Sequence, residues 1–158
     1  MPTGPSTAPI PMGEVEDYKV QLYKIGNLVW NDWNNNGQQN TSEPGLNGVN
    51  VQLVWGGPDG NVATSGDNVT YTQSTSNMGT DGQYMFTGLT SGTYVVSVPT
   101  APTNFIPTQI DQGGNDVIDS DNPAGVSVVI PSGGTLPTTA WLAANAASKV
   151  VSGLPLPK

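Results

Sequence analysis

The sequence predicts an all-β protein built as a single β-sandwich, and three observations carry that expectation. Short runs alternate apolar and polar residues, as in Val49-Asn50-Val51-Gln52-Leu53, and period two is the signature of a half-buried strand. Turn signals separate the runs, drawn from 20 Gly and 14 Pro among 158 residues; these are the residues that set or permit turn dihedrals. No amphipathic helix is legible, and the length suits one ordinary domain with little left for a second.

The elements follow in order. Residues 1–13 hold four Pro and no periodicity, so they read as an extended leader. Residues 14–24 read as a leading strand, with Tyr18, Val20 and Leu22 on one face and Lys19, Gln21 and Tyr23 on the other. A second strand runs from Ile25 to Trp30, with Gly26 as a break between the two. Asn31 to Pro44 is a polar loop, and Val49–Trp55 a strand that Gly56-Gly57-Pro58-Asp59-Gly60 turns away.

Weaker strands are expected near 61–65 and 69–75, a short one at Tyr84–Phe86, and one from Thr93 to Val98 closed by Pro99. Residues 99–125 are irregular and acidic. Val126–Ile130 is a clear strand ended by Pro131, and Thr138–Leu142 fits a last strand. The sandwich is therefore bounded at 25–143, with a C-terminal tail at 144–158.

Composition excludes whole classes of chemistry. The chain has no His, Cys or Arg, so disulfides, thiolate nucleophiles and imidazole-based triads or metal sites are out. Four Lys against twelve carboxylates give net −8, which repels phosphate and argues against nucleic acid. No apolar run reaches the roughly 20 residues of a membrane span. The N-terminus lacks a basic region followed by an apolar core, so no signal peptide is expected there. No pair of carboxylates is set up as acid and base, and no enzyme is expected. Trp30, Trp33, Trp55 and Trp141 read as core and loop-packing residues before a carbohydrate platform.

One loop carries metal chemistry. Asp32 to Glu43 is twelve residues long, with oxygen side chains Asp32, Asn34, Asn36, Asn40 and Glu43 at positions 1, 3, 5, 9 and 12 and Gly37 at position 6. That is the spacing of an EF-hand Ca²⁺ loop, here between strands. Ca²⁺ takes six to eight oxygens, so alternate residues turn oxygens inward while Gly37 permits the sharp bend. Gln38 would give its backbone carbonyl and Glu43 both carboxylate oxygens. With two carboxylates among neutral amides, the affinity belongs near the weak range of about 10⁻⁴–10⁻³ M. The competing reading is an Asn-rich loop whose side chains cap their own turns.

A second acidic cluster follows. Asp111, Asp116, Asp119 and Asp121 fall within eleven residues beside Gly113-Gly114. Like charges so close repel unless a cation or donors neutralise them, and no Lys lies between Lys24 and Lys149. Asp116, Asp119 and Asp121 are the candidate ligands, with a solvated acidic loop as the alternative.

The run from Lys24 to Trp141 resembles the SdrD B-like domain, a relative of the Cna-B, prealbumin-like (Ig-like) β-sandwich. The matching pieces, in order, are Ile25-Gly26-Asn27-Leu28-Val29-Trp30, Asp32 through Glu43, Pro44-Gly45-Leu46-Asn47-Gly48-Val49, Asp81 through Leu89, Gly92-Thr93-Tyr94-Val95-Val96, Gly113-Gly114-Asn115-Asp116 and Ile118-Asp119-Ser120-Asp121. The resemblance implies a prealbumin-like sandwich with Ca²⁺-binding loops, a stalk module of extracellular bacterial surface proteins. Asn27, Asn34, Asn36 and Asn40 depart from it, since members often carry Asp there. Residues 13–20 resemble the closing strand of a GEVED domain. Relatives often hold a Lys–Asn isopeptide bond; Lys24 and Asn145 are the candidates, but no Glu follows Glu43 to shuttle protons, and none is expected.

These readings converge on a Ca²⁺-stabilised structural module at a cell surface. Its expected partners are copies of itself or neighbouring modules, joined into a filament if the leading strand is exchanged between molecules; the other reading is that this strand folds back on its own sheet. The alternative is an adhesive domain for a host protein or glycan.

Overall fold

The computed structural model describes residues 22–115 and 118–132. Every regular element among them is a β-strand: β1 Tyr23–Leu28, β2 Asn50–Trp55, β3 Val69–Ser74, β4 Gln83–Leu89, β5 Gly92–Ser97 and β6 Val126–Ile130. They form a two-stranded sheet, β1-β4, and a four-stranded sheet in the order β3-β2-β5-β6. All pairings are antiparallel. The expected all-β sandwich is therefore the fold.

Alternation builds the core. Val51 and Leu53 of β2 are fully buried, while Asn50 and Gln52 turn away from the core. Leu53 lies opposite Val96 of β5, and Tyr94 opposite Val128 of β6, all four inside the core. From the smaller sheet, Tyr23, Ile25, Tyr84, Phe86 and Leu89 close over them. Burial of such side chains stabilises by about 1.5–3 kcal/mol each. The chain crosses between sheets at the β4–β5 turn, where the Tyr94 hydroxyl donates to the Thr90 carbonyl at 2.9 Å.

Three expectations are corrected. Gly26 does not break a strand: β1 runs through it, and the register shifts between Tyr23 and Ile25 instead. A Cβ at Gly26 would stand 2.8 Å from Met85 Cα, so glycine serves close approach of β4. Residues 61–65 form turns, not a strand. There the Asp59 carboxylate accepts from the Asn61 N–H at 2.8 Å and the Thr64 hydroxyl at 2.6 Å, local bonds that displace a ladder. The apolar face assigned to Leu22 is also reversed: Leu22 is 60% exposed and Tyr23, paired with Leu89, is 4% exposed.

Other expectations lie outside the described residues: the leader, the leading strand before residue 22, Thr138–Leu142, Trp141, Asn145 and the tail. Trp30 is fully buried, Trp55 half-buried and Lys24 exposed on β1.

Candidate metal centre

The Asp32–Glu43 loop leaves β1 through Val29 and Trp30 and is pinned at its base by an isolated bridge between Trp30 and Gly45. The Asn31 N–H donates to the Pro44 carbonyl at 2.8 Å, so the two ends of the loop meet. Both terminal carboxylates are drawn inside. Asp32 is 0% exposed and Glu43 7%.

Each carboxylate is held by backbone donors. Asp32 Oδ2 accepts from the Gly37 N–H at 2.9 Å and Oδ1 from the Asn36 N–H at 3.3 Å. Glu43 spans the loop, with Oε1 accepting from the Trp33 N–H at 3.1 Å and Oε2 from the Asn40 N–H at 2.9 Å. Such charge-assisted bonds offset part of the cost of burying a carboxylate.

The amides between them are ordered in turn. The Asn36 N–H donates to Asn34 Oδ1 and the Gln38 N–H to Asn36 Oδ1, at 3.0 and 2.8 Å, the Asx turns that Asn favours. Asn34 Nδ2 and Asn36 Nδ2 both reach Asn40 Oδ1, at 2.9 and 3.2 Å. The side chains at positions 3, 5 and 9 therefore meet at one point. One oxygen, Asn40 Oδ1, stands at that point, while Asn34 Oδ1 and Asn36 Oδ1 are engaged in the Asx turns.

The second acidic segment is clasped against this loop. Gln38 and Asp119 form an antiparallel bridge. The Gln39 N–H donates to the Ile118 carbonyl at 2.6 Å, and the Ser120 N–H to the Gly37 carbonyl at 2.8 Å. Gln38 Nε2 donates to the Gln112 carbonyl at 2.9 Å, and Gln109 Nε2 to the Asn35 carbonyl at 2.7 Å. Gly37 makes the approach possible: its φ is +71°, and a Cβ there would lie 2.6 Å from Gln112 Cγ.

Of the residues expected from sequence, the structure brings Asp32, Asn34, Asn36, Gln38, Asn40 and Glu43 into one loop and sets Asp119 against it. Asp119 is buried, Asp121 half-buried and Asp111 exposed, while Asp116 lies outside the described residues. No three acidic side chains converge as a metal-binding group among the described residues. Asp81 stands elsewhere, accepting from Asn47 Nδ2 and Asn77 Nδ2 at 2.8 Å each. Those two donors lower its pKa from the ordinary value of 3.8.

Two residues escaped the sequence reading. Thr108 is 8% exposed, and its hydroxyl donates to Asp32 Oδ2 at 2.6 Å; Thr108 Oγ1 also lies 3.0 Å from Asn35 Oδ1. Ser120 is 1% exposed, and its Oγ has no hydrogen-bond partner among the described residues. Thr108 sits in no motif, and Ser120, though within Ile118-Asp119-Ser120-Asp121, is not legible as an oxygen donor because its burial is not visible along the chain.

The donors suit a hard cation. They are carboxylate, amide and hydroxyl oxygens, with no sulfur or imidazole, the set that favours Ca²⁺ over transition metals. An orphaned buried hydroxyl beside Asp119 is a further oxygen of that kind.

Comparison with known proteins agrees with the fold. The family described as the SdrD B-like domain matches residues 23–138. Serine-aspartate repeat-containing protein D of Staphylococcus aureus (strain Newman) is 37% identical over 112 residues, covering 71% of this chain and 8% of that protein. Serine-aspartate repeat-containing protein C of Staphylococcus aureus (strain N315) is 36% identical over 107 residues, 68% of this chain and 10% of that protein. The chain thus spans a tenth or less of the relatives it matches.

Proposed function

Because the chain belongs to the SdrD B-like family, we propose that it is a structural module of an extracellular bacterial surface protein or fibre. In this reading Ca²⁺ stiffens it, and modules join head to tail by strand exchange. The observation that carries the Ca²⁺ reading is the clasp between the two acidic loops. A hydrogen-bonded bridge joins Gln38 to Asp119, so whatever orders one loop orders the other.

Asp32, Asn34, Asn36, Asn40 and Glu43 would hold the ion with the Gln38 carbonyl, and Asp116, Asp119 and Asp121 a second one. A bound cation supplies positive charge and fixed coordination, nothing more. The chain does the rest: backbone donors aim Asp32 and Glu43, Asx turns order the amides, and Gly37 lets the second loop close. A module of this kind transmits length and stiffness, and its chemistry ends at cation binding.

The decisive experiment is thermal unfolding of the chain with millimolar Ca²⁺ and with chelator. A clear rise in Tm with Ca²⁺ supports the reading, and identical curves overturn it. One observation favours an adhesive role as well: Trp33, at the second position of the loop, is 58% exposed. Glycan or host-protein binding by an unassembled chain, lost on Trp33→Ala, would favour that alternative.

A further inference from the structure

Among the described residues, the four-stranded sheet ends in an unprotected edge. β3 is Val69-Thr70-Tyr71-Thr72-Gln73-Ser74, with β2 its one strand partner among the described residues. β-Proteins usually blunt such edges with charge, proline or cover, because an open edge templates a further strand. β3 carries no charged residue and no proline, and five of its six residues are exposed. β4 meets it at the Ser76–Gln83 bridge and at Gln73, whose Oε1 accepts from the Met85 N–H at 2.9 Å.

Among the described residues the face beside that edge is also uncovered. Tyr71 lies opposite Leu53, on the side of the sheet that forms the core. Leu53 is fully buried, yet Tyr71 is 43% exposed, and Val69, two residues away on the same face, is 39% exposed. An added strand with apolar side chains on one face would cover both.

The chain contains a segment of that chemistry. Tyr18, Val20 and Leu22 alternate, and Leu22 is 60% exposed, so the described residues of its own module do not bury it. Charge points the same way. Residues 18–22 hold Lys19 and no carboxylate, whereas residues 25–132 hold nine carboxylates and no lysine. A strand from 18–22 brings one positive charge, that of Lys19, to a body of residues that has none.

We propose that the edge of β3 is the acceptor for residues 18–22 of a second copy, added as a fifth strand with Tyr18, Val20 and Leu22 over Val69 and Tyr71. This rests on the head-to-tail reading above and names its acceptor. The main-chain ladder supplies affinity and the alternate side chains supply register, as in other strand additions. The contact is heterologous, so repetition extends a filament.

The chain has no cysteine, which makes disulfide trapping clean. Full-length chains carrying Gln21→Cys are mixed with chains carrying Thr72→Cys, or Thr70→Cys as a second variant, and oxidised with Ca²⁺ present. Both threonines are exposed on the face away from the core. Ser127→Cys, exposed on the opposite edge strand β6, is the control. Cross-linking to β3 about a hundredfold faster than to β6 is expected, as an assembled pair gains effective concentration of that order. Equal or preferential trapping on β6, in a chain that sediments as an assembly, overturns the acceptor and leaves the head-to-tail reading intact. A wild-type chain that sediments as a monomer under the same conditions overturns both.

Discussion

The Thr108 hydroxyl donates to Asp32 Oδ2 at 2.6 Å across 76 positions of sequence. The first residue of the candidate Ca²⁺ loop is therefore held by a residue from the irregular segment before β6. A buried carboxylate needs its donors, and hydrogen bonds to charged groups contribute about 1.5–3 kcal/mol. Thr108→Val removes the donor and keeps the shape. It is expected to lower stability by about that amount in chelator, measured by urea unfolding. A change under about 0.5 kcal/mol would show that the bond contributes little.

Ca²⁺ binding to the native state alone adds RT ln(1 + [L]/Kd), about 2.7 kcal/mol at a hundredfold excess over Kd. Glu43→Gln keeps the size of the side chain and removes one of two carboxylates from the loop. Most of the Ca²⁺-dependent rise in Tm should vanish in this variant. A rise equal to that of the wild-type chain would remove Glu43 from the ligand set.

The second cation site makes a separate demand. Asp119→Asn with Asp121→Asn should lower the number of ions bound per chain, read by titration calorimetry, while the Asp32–Glu43 loop still binds. Unchanged stoichiometry would leave the 116–121 segment as a solvated acidic loop.

Gly37 sits where the two loops touch. Any side chain there meets the Gln112 side chain and must hold a φ of +71°, a conformation that costs non-glycine residues about 1–3 kcal/mol. Gly37→Ala should destabilise by at least about 1 kcal/mol and open the clasp. Faster amide exchange at Gln39 and Ser120, whose N–H groups cross between the loops, is the expected readout. Unaltered exchange at both would mean the clasp does not depend on Gly37.

Asp81 gives the pH dependence a sign. Its pKa is lowered by the Asn47 and then the Asn77 donors, so the folded value lies below the unfolded one. The stability it contributes is present above the ordinary value of 3.8 and fades as pH falls through the lower folded value. Asp81→Asn should therefore lower the urea midpoint at neutral pH. The gap to wild type should close as pH drops below about 4. A gap that persists at lower pH would assign the loss to geometry and not to charge.

The class of fold and most of its strands are legible along the chain. Val51, Leu53, Tyr94, Val96, Val128 and Ile130 announce their side of the sheet by alternation, because strand side chains have a period of two residues. The Asp32–Glu43 loop was legible for the same reason: its bonds run between residues two to ten positions apart, so spacing alone encodes them. Where local rules compete, sequence misleads. Asn61 and Thr64 took turn bonds from Asp59 in place of a ladder, and Gly26 looked like a break because the approach of β4 is invisible along the chain. The meeting of distant segments is set by packing and is not written in any local pattern. The Thr108–Asp32 bond, the Gln38–Asp119 bridge, the burial of Ser120 and the bare face at Tyr71 all depend on how two sheets and their loops come to rest against one another. No local pattern records a contact whose partners lie seventy or more residues apart, since its energy is set by packing and not by propensity.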